Sequence, residues 1–465
     1  MTPTRTEIDS LGPRSLPQSC VFGVSTLRAT ENFRISGRTI GDEPEFIRAL
    51  AHIKRAAACA NRDLGVLDAD IAHALISAAD AIISGEHADA FPVNMLEGSG
   101  GTSINMNINE VLANLALDKL GHDRGQYDVV SPNDHVNRGQ STNDVVPAAV
   151  KIAVHAKAQD LLASLSHLQS ALAEKAVEFD DVLRIGRTCM QAAQPMRLGQ
   201  AFGGYAASLG RLTEKLTLAC DDLLTLPLGG TAIGTGLGAA PGFREQVFNH
   251  LGQAIEKPVR PPDDAFDAMQ NADTFARVSS EIRISAEVIG KIASDLIMLS
   301  AGANSGVGEV LLPTVQPGSS IMPGKINPVM PMMVQQVAFA VVGNDAAVSL
   351  AALNGQLEIN HFEPIIASRM FDSIDLLTRS ARLFADGCIA GLKANRAQSL
   401  KNLMDSSAMA TIFVDRLGYA SVAEIVKLAL VEERPFVRLA IERGWLSEDE
   451  VIKILNDSTR RMEAV

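Results

Sequence analysis

The segment GSSIMPGKINP, Gly318 to Pro328, brings two adjacent serines, a Pro-Gly bend, a lysine and an asparagine into one short stretch. Ser319, Ser320, Lys325 and Asn327 are all groups that hold anions or pass protons. A phosphate-cradling loop is excluded by spacing. Such a loop needs glycine where the chain has Ser319 and a metal-binding hydroxyl where it has Ile326. Pro323 also lacks the backbone donor such a cradle would use. Similar polar clusters recur upstream: Thr102, Ser103, Asn105 and Asn107; Asn133, Asp134 and His135; Ser141, Thr142, Asn143 and Asp144; Arg187 and Thr188. The set is rich in neutral donors and holds a few cations, which suits a small dicarboxylate or amino-acid substrate gripped by directed hydrogen bonds. A dicarboxylate held in this way can lose the proton beside one carboxylate if donors stabilise the aci-carboxylate that forms, and a leaving group then departs from the neighbouring carbon. Serine is a weak base in water. Ser319 serves only if its loop places it among Lys325 and backbone donors that favour the alkoxide. Taken singly, each cluster is more often a helix cap or a turn than a site. Four such clusters in one chain, each beside a helical segment, favour the chemical reading.

The elements that must position them are helical. The 465 residues are 47% hydrophobic and only 4% aromatic, so the core is built from Ala, Leu, Ile, Val and Met, as in closely packed helices. The expected class is all-α. A formal charge of -13 argues against a nucleic-acid footprint, which would call for a basic face. Five cysteines without metal-type spacing indicate neither a disulfide framework nor a zinc site, and the expected setting is a reduced cytoplasm. No signal-like apolar stretch opens the sequence, and no uninterrupted apolar run reaches the ~18 residues of a membrane span, so no membrane partner is expected. Periodicity predicts two amphipathic helices between Pro44 and Gly85, parted near Gly65, and one long helix over 268–300. A second long, almost wholly aliphatic helix follows the loop through MMVQQVAFAVVGNDAAVSLAALNG, which suggests burial against partner subunits. The pattern divides the chain into a helical N-terminal domain, 1–140, a central bundle of long helices, 141–394, and a small C-terminal helical domain, 395–465. The polar stretches, IGRTCMQAAQPM included, read as loops or helix ends.

Taken together, GSSIMPGKINP, FGVSTLRATENFRIS, GGTSINMNINEVLAN, SPNDHVNRGQSTND, GRTCMQ and LGGTAIGTGL resemble the motifs of the fumarase/aspartase superfamily, in that family's order and over nearly the whole chain. The resemblance implies a three-domain subunit, a homotetramer around a multi-helix core with each site shared by three subunits, and cleavage of C–N or C–O bonds of succinyl compounds to give fumarate. It implies no cofactor and no metal. It makes Ser319 the general base and sets Lys325 with Asn327 on one carboxylate. Thr102, Ser141, Thr142 and Ser320 then surround the other carboxylate, and Asn143 and Thr188 lie near the leaving group. His135 sits in the second motif without an assigned catalytic role; Asp134 and His135 are expected to fix its backbone.

QSTND and GHDRGQY resemble the aspartase branch more than the fumarase branch, and Ser131 stands where fumarases carry a histidine of their accessory site. Cys189 and Met332 occupy positions where fumarases pair a histidine with a glutamate to handle water, and Ala192 replaces a usual aspartate. Exchanging both members of a polar pair for soft side chains can be nearly neutral, whereas losing one strands the other. Cys189 itself is expected to be a small buried side chain in the substrate pocket and not a nucleophile. The leading expectation is therefore amine elimination from an aspartate-type substrate, with L-aspartate giving fumarate and ammonia. The alternatives are a C–N lyase for an N-substituted aspartate, a class II fumarate hydratase, and a non-catalytic structural member of the fold.

Overall fold

A computed structural model describes residues 3–302 and 305–460; the last residues of the expected C-terminal domain, 461–465, lie outside it. Within the described residues the chain is dominated by helices, with three two-stranded antiparallel ladders. The paired N-terminal helices are Pro44–Asp63 and Ala69–Ile83. The first opens with proline at its first position, and the turn after it is made by Gly65 at φ +70°. Asp68 caps the second by accepting from the backbone of Asp70 and Ile71. The long helix predicted over 268–300 is shorter: Ala265–Gln270 forms a turn and a half of its own, Asn271 is extended, and the long helix runs Asp273–Ser300. Its buried side follows the predicted stripe through Ile282, Ile289, Ile292, Leu296 and Leu299.

The expected second long helix spans Val329–Leu353. Among the described residues it is the one helix long and apolar enough to cross a membrane, at a mean hydropathy of 1.5. Phe339 is 70% exposed, Leu350 61% and Leu353 78%. Asp345 places on this helix a buried carboxylate that accepts from Ser279 Oγ at 2.6 Å and pairs with Arg283 Nε at 2.8 Å.

Two hairpins were not foreseen. Thr4–Asp9 pairs with Gly12–Pro17, and Leu183–Thr188 pairs with Gln191–Arg197. The second hairpin corrects the loop reading of IGRTCMQAAQPM. Its two-residue turn is Cys189–Met190, with φ +50° and +63°, the left-handed pair that a tight hairpin needs and that Asn-Gly normally supplies. Holding Cys189 at the tip leaves it exposed, which overturns its expectation as a buried side chain.

The chain divides into two compact units. One comprises Met1–Leu162, Lys215–Arg283 and Ala340–Leu376; the other comprises Ala163–Glu214, Ile284–Phe339 and Leu377–Val465. In the second unit Leu183 and Ile185 of the hairpin share a core with Leu403, Phe413, Phe436 and Leu455, so the C-terminal helices anchor the strand that leads to Thr188. In the first unit the helix Glu363–Phe384 opens with a buried carboxyl. Burial, with the charge of Glu97 adding to it, pushes Glu363 up to about 8 from the ordinary 4.5. Because the folded value is the higher one, its contribution to stability is complete below the unfolded value and is lost as pH rises through about 8. Glu363→Gln should therefore match the parent in unfolding free energy at pH 5 and exceed it at pH 9 by on the order of a few kcal/mol, with the thermal midpoint rising accordingly. Parallel midpoints across that range would refute this.

Candidate active site

In the first unit the glycine-rich turn before Thr102 is built for close approach. Gly100 and Gly101 sit at φ +63° and +88°, and Glu97 gathers the backbone N–H groups of Ser99 and Gly101. A Cβ on Gly101 would meet Val146 at 3.1 Å. Val146 lies one turn into the helix Thr142–Glu178, so this glycine brings Thr102, the first residue of the helix Thr102–Leu120, to the start of the other helix. Thr102, Ser141, Thr142 and Asn143 are thereby collected in one neighbourhood. Each keeps part of its surface open.

Asp144 holds this neighbourhood in place. It is 0% exposed; its Oδ1 accepts from Ser141 N at 2.9 Å and its Oδ2 from Gly229 N at 3.1 Å and Thr231 N at 3.0 Å. Asn143 Nδ2 donates to Ala232 O at 2.8 Å. The STND turn and the LGGTA turn are thus clamped together, with Thr231 held at φ +55°. Burial pushes Asp144 up and Lys54, also fully buried, down; each shift is opposed by the other's charge, and three backbone N–H groups also favour the Asp144 carboxylate. The second motif forms its own turn, in which Ser131 Oγ accepts from Asn133 N and Asp134 N while His135 Nδ1 accepts from Ser131 N at 2.9 Å. Asp134 and His135 do fix the backbone there: Ser131 Oγ also donates to Asp134 Oδ2 at 3.1 Å.

In the second unit Thr188 pairs with Gln191 across the hairpin, and both Thr188 and Cys189 are exposed. Beneath the tip, Arg184 and Arg187 converge on the buried Glu309 carboxylate at 2.7 and 2.8 Å. A cavity of about 320 Å³ opens beside it, lined by Arg187, Cys189, Met190, Met196, Tyr205 and Lys291 among others. Met332, in the first turn of Val329–Leu353, is half exposed and is not among its lining residues.

The signature loop folds onto itself. Asn327 Nδ2 donates to Gly318 O at 2.6 Å, and a Cβ on Gly318 would lie 2.1 Å from Lys325 O. Ser319, Lys325 and Asn327 are therefore held within one small ring. Ser319 Oγ accepts from Ile321 N at 3.2 Å and Met322 N at 3.0 Å. Two backbone donors on one hydroxyl oxygen stabilise negative charge there, the condition a serine base requires. Ser320 and Lys325 are exposed. Among the described residues no group of three or more His, Cys, Asp or Glu is arranged to hold a metal ion.

Residues 12–343 match the Lyase family. An aspartate ammonia-lyase of Pseudomonas aeruginosa is 43% identical over 454 residues, covering 97% of this chain and 96% of that protein. This chain belongs to the fumarase/aspartase superfamily. It is a carbon–nitrogen lyase, close in sequence to aspartate ammonia-lyases. Among solved structures, a fumarate lyase:delta crystallin of Brucella melitensis bound to cobalt superposes with a TM-score of 0.95 at 42% identity, covering 99% of each chain. A class II fumarase of Schistosoma mansoni superposes at 0.90 with 33% identity, covering 97% of this chain and 98% of that one.

The sequence places Asp144 in the Ser141–Asp144 cluster without giving it a role of its own, and it leaves Lys54 unmarked: that lysine looks like an ordinary polar-face residue of a helix, and only its burial sets it apart.

Proposed function

We propose that the protein is an aspartate ammonia-lyase that converts L-aspartate to fumarate and ammonia. The observation that carries this reading is the nearly full-length match to relatives of that name. In the proposed mechanism Lys325 and Asn327 grip one carboxylate of the substrate. Thr102, Ser141, Thr142 and Ser320 bind the other carboxylate. Ser319 takes the proton, negative charge spreads into the aci-carboxylate, and collapse of that charge forms the double bond as the C–N bond breaks near Asn143 and Thr188. The Ser319 alkoxide is supported by its two backbone donors. Loop movement on substrate binding completes the grip. The assignment of domains to 1–140, 141–394 and 395–465 is part of the same proposal, as is a cytoplasmic setting.

A second reading, a C–N lyase for an N-substituted aspartate, is favoured by the thioether-lined cavity beside Cys189, which has room for a substituent. Hydration of fumarate is disfavoured because Cys189 and Met332 supply no polar pair for water. Fumarate release from a panel of L-aspartate, malate and N-substituted aspartates decides between these readings. The highest kcat/KM for L-aspartate supports the proposal; malate or an N-substituted substrate ranking first overturns it.

A homotetramer is proposed on the exposed face of Val329–Leu353, whose Phe339, Leu350 and Leu353 form more apolar surface than a lone chain comfortably shows to water. Light scattering should return four times the 49.4 kDa chain mass. A fully active monomer would contradict the assembly and the shared site together.

A further inference from the structure

Lys54 lies in the middle of the helix Pro44–Asp63 and is 2% exposed. Its Nζ donates to Asn137 Oδ1 at 2.9 Å, an oxygen that also receives Asn105 Nδ2 at 3.1 Å and Asn109 Nδ2 at 3.3 Å. A carbonyl oxygen offers two lone pairs, so three donors compete for them, and the charged ammonium makes the strongest bond. Its position also settles which way the carboxamide faces, since a flip would set the Asn137 amine against three other donors. With the oxygen so committed, Asn137 Nδ2 donates to Gln140 O at 3.2 Å. The peptide after Gln140 carries Ser141 N, which Asp144 Oδ1 accepts at 2.9 Å. Around this chain Asn61 Oδ1, Asn105 Oδ1, Asn109 Oδ1 and Gln140 Oε1 are buried acceptors without a hydrogen-bond partner among the described residues. An interior so rich in unfilled acceptors favours a cation at its centre.

We propose that Lys54 is a positioning residue for the carboxylate-binding turn: its ammonium orients the Asn137 carboxamide, which holds the Gln140 carbonyl and so sets the backbone of Ser141, Thr142 and Asn143. The inference rests on the reading of Ser141 and Thr142 as substrate binders. A purely structural lysine would serve stability alone, whereas this one governs where two hydroxyls stand.

The test compares the intact protein with Lys54→Met, Asn137→Ser and the double variant. The readouts are amide hydrogen exchange at Ser141, succinate affinity, KM and kcat for L-aspartate, and thermal midpoint. Lys54→Met should speed exchange at Ser141 at least tenfold and raise both the succinate Kd and the aspartate KM tenfold or more, with kcat changed less than threefold. Asn137→Ser should show the same signature, and the double variant should be no worse than the poorer single, because both act through one chain of bonds. A lowered midpoint with parental Ser141 exchange and parental succinate affinity overturns the proposal, as do effects that add. Should Lys54→Met fail to fold, parental exchange at Ser141 in Asn137→Ser overturns it equally. A parent that neither binds succinate nor deaminates aspartate would sink the functional reading, while exchange at Ser141 would still decide the role of Lys54.

Discussion

Ser319→Ala is expected to lower kcat for L-aspartate about 10³-fold while leaving the thermal midpoint and the oligomer as they are. A positioned general base contributes roughly 10²–10⁴-fold, and the other polar side chains of the loop, Ser320, Lys325 and Asn327, are assigned to the carboxylates. The hydroxyl is only half buried and makes no core contact, so folding loses little: the two backbone donors of Ile321 and Met322 turn to water instead. KM should move far less than kcat, because Ser319 is assigned to the proton and not to the carboxylates. Turnover within a factor of ten of the parent would remove Ser319 from the mechanism.

Gly318→Ala should be nearly as damaging by a different route. The added methyl meets backbone atoms, Lys325 O at 2.1 Å, Lys325 C at 2.7 Å and Asn327 N at 2.9 Å, and backbone cannot rotate away as a side chain can. The ring formed by Gly318, Lys325 and Asn327 must open by about an ångström, a displacement that typically costs on the order of 10²-fold in rate. Stability should hold, since the loop lies outside the packed core. The decisive comparison is kcat/KM beside the thermal midpoint. An alanine variant with parental kcat/KM would show that the closed ring is not the working form of the loop.

Much of this site was legible in the sequence because its chemistry sits in runs of unusual composition. GSSIMPGKINP and QSTND crowd polar residues beside apolar helical patterns, and the motif order carried the family assignment. The long helices were legible from periodicity, to within the break at Asn271. What escaped shares one physical cause: the residue type gives no sign of its surroundings. Lys54 looks like a surface charge but is buried, and it is joined to Asp144, whose clamping role the STND cluster does not announce, through backbone and amide bonds. Cys189 and Met190 form a left-handed hairpin turn with neither glycine nor asparagine to announce it, so the strands that carry Thr188 read as a loop. Glu363 looks like a solvated helix start, yet it is buried near a second carboxyl. In each case tertiary packing, and not local preference, decides.

Splitting of L-aspartate is tested by incubating the purified protein with it and measuring fumarate and ammonia over the same time course. Fumarate and ammonia should form in equal amounts, and both about 10³-fold more slowly in Ser319→Ala. Fumarate without ammonia, or no fumarate from aspartate while an N-substituted aspartate releases it, would show that the protein is not an aspartate ammonia-lyase.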